Sequence, residues 1–149
     1  MPHFTLPIGA KGPILNIVLT VSAARAHALK RNELPIPTPI RAQGLVDTGA
    51  SCTCIDPSVI ANLGIVSKGD IDIHTPSTGS KTVSANEYDI GLSIFGKSAA
   101  EPPHRVLNLA VIESNLLESQ GFHALIGRDV LSGCVFSYNG SAGLYMLAF

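Results

Sequence analysis

The feature that most constrains the fold is the length of the apolar segments, which are strand-sized and separated by glycine and proline. The segment PILNIVLTV (13–21) is rich in β-branched residues and nearly continuous in its apolar character, which predicts a buried strand. The chain contains 14 glycines and 10 prolines without a repeating period. This composition favours a turn-rich, all-β protein over a helical bundle.

Length and charge narrow the class of protein further. The 149 residues predict one domain spanning 1–149. Hydrophobic residues make up 46% and charged residues 14%, so the chain can bury a core and does not have the composition of a disordered protein. The formal net charge of −1 offers no electrostatic footprint for nucleic acid or for an anionic membrane. We therefore expect neither as a partner.

Local patterns place the remaining elements. Asp56 as N-cap, Pro57 at the first helical position and Gly64 as the stop predict one short helix. Alternating residues on both sides of a polar centre predict a long hairpin over 70–94. The other predictions are strands at 3–8, 40–46, 105–113 and 123–127, a charged and proline-rich surface loop at 27–39, a single helical turn at 128–133, and a hairpin over 134–149.

The segment GLVDTGAS (44–51) brings a carboxylate directly to the end of an apolar strand. A carboxylate in that position can stay partly desolvated and therefore titratable. Gly49 has no Cβ and allows a sharp turn or a close approach to Asp47, and the Thr48 hydroxyl can lock the loop by hydrogen bonds. The alternative is that Asp47 only caps its own turn, as Asp often does.

A single such carboxylate cannot act as both acid and base, whereas two that share a proton can. Asp70, Asp72, Asp89 and Asp129 are not followed by a matching loop. A second copy of Asp47 must then come from a two-fold symmetric homodimer. We expect residues 1–11 to act as a dimerisation arm, with segments 1–8 and 144–149 pairing across the axis as an intermolecular sheet.

Two motifs resemble those of the retropepsin-like aspartic proteases, single-domain homodimeric relatives of pepsin. LVDTGAS (45–51) is similar to the catalytic loop of that family, and ALIGRDVL (124–131) is similar to its second signature. The resemblance implies an all-β, closed β-barrel with one or two short helices. It also implies that Asp47 is the catalytic residue, that Thr48 bonds across the axis, and that Gly49, next to Ala50 in the active-site loop, contacts the substrate backbone.

The resemblance assigns roles to two further segments. The centre of the 70–94 hairpin would be a flap over a polypeptide substrate; its residues are Thr75, Pro76, Ser77, Thr78, Gly79 and Ser80. Gly127 and Arg128 would support the catalytic loop. In many viral members an Asp stands where this chain has Ser51, so the partner of Arg128 must differ, with Asp129 and Asp56 as candidates. No metal and no organic cofactor is implied.

Two further expectations concern function and location. The main hypothesis is an aspartic endopeptidase, and the alternative is a dimeric peptide- or protein-binding module of the same fold with little or no proteolytic activity. Three cysteines, Cys52, Cys54 and Cys134, are an odd number and favour reduced thiols rather than a disulfide framework. We therefore predict a cytoplasmic protein, although segment 12–28 faintly resembles a signal peptide.

Overall fold

The computed structural model describes residues 1–74, 79, 81–96, 98 and 100–149. Within these residues strands dominate and the helices are short. In chain order the elements are β1 His3–Pro7, β2 Ile14–Val21, α1 Ala23–Arg31, β3 Ile40–Val46, β4 Cys54–Ile55, α2 Pro57–Leu63, β5 Gly69–Ile73, β6 Val83–Ile94, β7 His104–Glu113, α3 Leu117–Gln120, β8 Ala124–Ile126, α4 Arg128–Leu131, β9 Val135–Asn139 and β10 Leu144–Ala148.

Six strands close into a barrel. The strand order is β2-β3-β8-β4-β7-β6, and β2 also pairs with β6, which joins the two ends of the series. Strand β5 extends the sheet beyond β6. Most neighbours are antiparallel, but two pairs run parallel: β3 with β8, where Leu45 is opposite Leu125, and β4 with β7. This architecture confirms the predicted all-β closed barrel.

The barrel interior is filled by the inward-facing residues of the strands. Alternation is clear in β2, where residues 15, 17, 19 and 21 are buried and the intervening ones are partly or fully exposed. The best buried side chains include Leu15, Ile17, Leu19, Ile55, Ile90, Leu92, Ile94 and Ile126. At about 25 cal/mol per Å² of apolar surface, this burial is the main stabilising contribution to the fold.

A second, three-stranded sheet is built from both ends of the chain, in the order β1-β10-β9. Strand β1 pairs antiparallel with β10 of the same chain, from His3 opposite Ala148 to Pro7 opposite Leu144. The predicted pairing of these two segments across a dimer axis is therefore wrong as stated, because their hydrogen bonds are made within one chain. The Tyr145 hydroxyl donates to the carbonyl of Ile14 and attaches this sheet to the barrel.

Helix α1 was not expected, since its second half lies in the segment predicted as a loop. Ser22 caps it by accepting a hydrogen bond from the backbone N–H of Arg25 at 3.2 Å. Alanines favour the helix and two basic residues close its last turn, which outweighs the charge cluster that suggested a loop. Residues 32–39 do form a loop, and α3 is a second unpredicted helix. None of the helices in the described part of the chain combines the length and the hydropathy needed to span a bilayer.

The other predicted elements are confirmed. Helix α2 begins after Asp56, whose side chain accepts from the N–H of Ser58, and ends at Gly64 in the left-handed conformation (φ 58°). Strands β5 and β6 form the predicted hairpin, with Ile73 opposite Val83 at its outer end. Strands β9 and β10 form the predicted C-terminal hairpin.

Candidate active site

Asp47 immediately follows β3 and is half-buried at the end of the barrel. Its backbone N–H donates to the carbonyl of Ile126 at 3.0 Å, which continues the parallel pairing of β3 with β8 by one residue. Because both strands lie in the closed barrel, the backbone that carries the carboxylate is fixed by the core. The apolar residues before Asp47 thus form a strand that brings the carboxylate to its end, as the sequence predicted.

The loop after Asp47 folds back on the carboxylate. The N–H of Gly49 donates to Asp47 Oδ1 at 2.9 Å, and the N–H of Ala50 approaches the Asp47 carbonyl at 3.3 Å. A Cβ on residue 49 would stand 3.1 Å from that same Oδ1, so glycine gives the carboxylate room. Thr48 and Gly49 are exposed. Asp47 therefore does cap its own turn, through the bond from the Gly49 N–H, as the alternative interpretation expected. The turn is nevertheless open to solvent at Thr48 and Gly49.

Arg128 contacts this loop by both its backbone and its side chain. Its N–H donates to the carbonyl of Ala50 at 2.9 Å. Its guanidinium Nη1 lies 3.2 Å from the Thr48 carbonyl and 3.4 Å from the Gly49 carbonyl. The start of α4 is thereby joined to the loop at three successive residues.

The candidate carboxylate partners of Arg128 are engaged elsewhere. No carboxylate lies within ion-pair distance of its guanidinium in the described part of the chain. Asp129 accepts hydrogen bonds from Thr53, and Asp56 accepts from Ser58, Leu116 and Leu117. The predicted pairing of Arg128 with Asp129 or with Asp56 is therefore wrong. With Ser51 in place of a carboxylate, the arginine uses backbone carbonyls instead.

Thr53 and Asp129 form a clamp that the sequence analysis missed. The Thr53 hydroxyl donates to Asp129 Oδ1 at 2.7 Å, and the Thr53 N–H donates to Oδ2 at 2.8 Å. The same hydroxyl accepts from the buried N–H of Gly127 at 3.1 Å. Thr53 is fully buried, so these are protected interactions. The signals available in the sequence were a threonine two residues after the Asp-Thr-Gly-Ala-Ser segment and an aspartate directly after Gly-Arg.

Gly127 is required by the close packing of the two motifs. A Cβ at this position would lie 2.6 Å from the backbone carbonyl carbon and oxygen of Cys52, which is closer than real contacts allow. The second motif therefore packs backbone to backbone against the residue that directly follows the first motif, and any side chain at residue 127 would separate them.

A row of half-buried apolar side chains lies beside Asp47. Leu45 on β3 is directly opposite Leu125 on β8, which in turn is opposite Cys54 on β4. Directly opposite residues project on the same face of a sheet. All three are partly exposed, whereas the residue after each of them in its strand is buried in the core. The row therefore presents an apolar surface on the face away from the barrel interior.

The cysteines near the site are poorly ionisable. The three thiols are free and half-buried. Burial raises the pKa of the Cys54 thiol to about 12, with smaller contributions from the nearby Cys52, Asp129 and Asp47. Burial also raises the pKa of Cys52 and that of Cys134. A thiol with a raised pKa is mostly protonated at neutral pH and is a weak nucleophile.

The predicted flap is described only in part. Its two strands, β5 and β6, are paired as expected. Thr75, Pro76, Ser77, Thr78 and Ser80 lie outside the described residues. Gly79 is exposed in a turn with a φ of 60°, a conformation that glycine adopts without strain.

No protein-family model and no curated protein sequence matches the chain. Among solved structures, it is similar to a retropepsin-like aspartic protease from Rickettsia conorii, with a TM-score of 0.55 and 16% identity over 97% of this chain and 89% of that one. It also matches the retroviral protease-like domain of Ddi1 from Leishmania major, with a TM-score of 0.36 and 12% identity over 85% of this chain and 81% of that one. The first similarity shows that this chain has the retropepsin-like fold.

Proposed function

We propose that the protein is an aspartic endopeptidase that works as a symmetric homodimer, with one Asp47 from each subunit. The observation that carries the proposal is the position of Asp47. It is half-buried at the end of β3, in an Asp-Thr-Gly loop held against β8 and α4, within a retropepsin-like fold. The fold alone does not imply an activity, so the argument depends on this carboxylate.

The proposed chemistry needs two carboxylates that share one proton. The ionised Asp47 takes a proton from a water molecule, and the oxygen of that water attacks the carbonyl carbon of the scissile amide. The protonated Asp47 of the other subunit donates its proton to the carbonyl oxygen, giving a tetrahedral diol. The first Asp47, now protonated, then donates its proton to the amide nitrogen while the second, now ionised, takes a proton from a diol hydroxyl, so that the C–N bond breaks and an amine and a carboxylic acid are released. Both residues return to their starting state.

The remaining predicted site residues would position the substrate. An extended polypeptide would lie between the loop of Thr48, Gly49 and Ala50 and the flap at residues 75–80, held by main-chain hydrogen bonds. The row formed by Leu45, Leu125 and Cys54 would receive apolar side chains next to the scissile bond. Gly127 and Arg128 would keep the loop in place through the contacts described above.

The test compares the digestion of a peptide library by the wild type and by Asp47→Asn. Asparagine keeps the size of the side chain and can still accept the bond from Gly49, so the variant should fold with an unchanged melting temperature. We expect cleavage in the wild type and none in the variant. Equal cleavage by both proteins would exclude the mechanism.

A second measurement tests the assembly and the alternative function. Sedimentation velocity at micromolar concentration should show a dimer for both proteins, because asparagine has nearly the same size as aspartate and can still hydrogen-bond to its counterpart across the proposed axis. A monomer with full activity would contradict the two-subunit site. A dimer in which the wild type and Asp47→Asn bind the same peptides and neither cuts them would instead support the binding module.

A further inference from the structure

One histidine lies where the barrel meets the sheet of β1, β10 and β9, which we call the terminal sheet. His104 is the first residue of β7 and is directly opposite Ile94 on β6, whose side chain is fully buried. Directly opposite residues project on the same face of a sheet, so the imidazole points towards the interior. The centroid of its ring lies 5.6 Å from that of Phe149, which follows β10 and is 6.3 Å from the ring of Phe4 on β1.

The turn after α4 confines the imidazole from another side. A Cβ on Gly133 would lie 2.9 Å from Cε1 and 3.4 Å from Nε2 of His104, so the backbone of this turn packs directly against the ring. Nε2 is buried and has no hydrogen-bond partner among the described residues. Buried polar atoms without a partner are rare in folded proteins. The site therefore accommodates the shape of the ring without satisfying this nitrogen.

The same site disfavours the charged form of the ring. A neutral imidazole can keep Nε2 unprotonated, whereas the charged form carries an N–H on both nitrogens. Protonation of His104 would place a positively charged donor in this site without an acceptor, and an unsatisfied charged group has a larger desolvation penalty than a neutral one. Burial accordingly lowers the pKa of His104 below its ordinary value of 6.5.

The surrounding elements provide no countercharge. In the described part of the chain, ion pairs are formed by Lys68 alone, so no carboxylate is within ion-pair distance of the His104 ring. Burial is the cause of the lowered pKa, and no neighbouring charge offsets it. The titratable groups on the elements around the ring are Glu101 in the loop before β7, Arg105 on β7, Arg128 and Asp129 on α4, Cys134 after α4, His3 on β1 and the carboxylate of Phe149.

We propose that His104 is a pH-sensitive attachment between the barrel and the terminal sheet. At neutral pH the uncharged ring packs against Phe149 and Gly133 and holds the end of β10. In mildly acidic solution the ring binds a proton and requires water at Nε2, which separates this end of the terminal sheet from the barrel. The bond from the Tyr145 hydroxyl to the Ile14 carbonyl is a second attachment. It persists in acid, because burial raises the pKa of Tyr145 to about 12.

The test measures urea unfolding at pH 7, 6 and 5, with Asp47→Asn in every protein so that self-digestion does not interfere. Below pH 6.5 the unfolded chain binds a proton at residue 104 that the folded chain resists, so stability falls with the pH. From pH 7 to 5, we expect the unfolding constant of the protein with His104 to rise at least ~3-fold relative to that of His104→Leu. His104→Gln, which is polar but does not titrate, should behave like His104→Leu. A ratio that stays constant or falls would overturn the proposal.

His27→Gln is the matched control, since it removes an exposed imidazole on α1 and should keep the pH dependence of the protein with His104. Hydrogen exchange then locates the effect. After correction for intrinsic rates, the amides of β1 and β10 should lose protection from pH 7 to 5 at least ~3-fold more than those of β2, and His104→Gln should abolish this difference. Equal losses in both sheets, or a difference that persists in His104→Gln, would exclude the attachment. Because the readouts are stability and exchange, the result is independent of the proposed protease activity.

Discussion

Thr53 and Asp129 are joined by two hydrogen bonds, of 2.7 Å from the hydroxyl and 2.8 Å from the backbone N–H, although they are 76 residues apart in the chain. This clamp connects the segment that follows the Asp47 loop to the start of α4. It holds the loop region against α4, which is the role that an ion pair of Arg128 with a carboxylate was expected to have. Thr53, just after the first motif, and Asp129 in the second motif thus add a side-chain link to the contacts that Arg128 makes with the carbonyls of the loop.

We predict that Thr53→Val destabilises the protein by about 3 kcal/mol, because it leaves the buried N–H of Gly127 without an acceptor and removes a donor from Asp129. Thr53→Ser keeps the hydroxyl and should cost about 1 kcal/mol for the lost methyl group. The free energy of unfolding in urea measures both. Equal losses for the two variants would show that packing, and not the hydroxyl, makes the contribution.

Gly127→Ala should destabilise the fold by about 3 kcal/mol, since its Cβ would be forced to within 2.6 Å of the Cys52 backbone. Gly140→Ala is the matched control, because its Cβ would meet only the Tyr138 ring at 3.4 Å. Thermal unfolding of both variants tests the difference. A Gly127→Ala protein as stable as the control would contradict the close packing of the two motifs.

Stability should depend on acid through Asp56, which is 6% exposed. Burial acts to raise the pKa of this carboxyl, but hydrogen bonds from the Ser58 hydroxyl and from the N–H groups of Leu117, Ser58 and Leu116 outweigh it and lower the pKa from 3.8 to about 2. The ionised form is thus favoured by folding, and its contribution is present above pH 4 and lost as the pH falls towards 2.

The corresponding variant is Asp56→Asn. It should lose about 2 kcal/mol at pH 7 and show a weaker dependence on pH between 4 and 2. Urea unfolding at pH 7, 4, 3 and 2 measures this, with Asp72→Asn as a control at an exposed position on β5. An unchanged slope between pH 4 and 2 in Asp56→Asn would assign the acid sensitivity to other groups.

The raised pKa of Cys54, caused mainly by burial, predicts slow alkylation. At pH 8, iodoacetamide should modify Cys54 in the folded protein at least ~100-fold more slowly than in the urea-unfolded protein, because the thiolate is the reactive form. Peptide mapping by mass spectrometry gives the rate for each cysteine. Rapid modification of Cys54 in the folded state would show that the thiol is not buried as described.

The elements that the sequence predicted correctly are those that depend on local signals. Asp56, Pro57 and Gly64 bound helix α2 because capping is decided within a few residues. The position of Asp47 at a strand end follows from the apolar residues that precede it. Helix α1 was missed because a cluster of charges and prolines in 27–39 obscured the Ser22 cap at its start.

The features that could not be predicted depend on contacts between distant segments. The pairing of β1 with β10 joins the two ends of the chain, and nothing in either segment distinguishes a partner in the same chain from one in a second copy. The prediction that Arg128 pairs with Asp129 or Asp56 was wrong for the same reason. The oxygens within reach of the Arg128 guanidinium depend on how the segment of Thr53 packs against that of Asp129, and this packing is a property of the whole fold.

The intrachain pairing of β1 with β10 means that a single chain completes its terminal sheet without a strand from a second copy. Folding and association would then be separate equilibria. If the active unit contains two copies, dilution should yield intact but inert single subunits, which regain activity when concentrated. Local abundance would thus switch such an enzyme on and off without any subunit having to unfold.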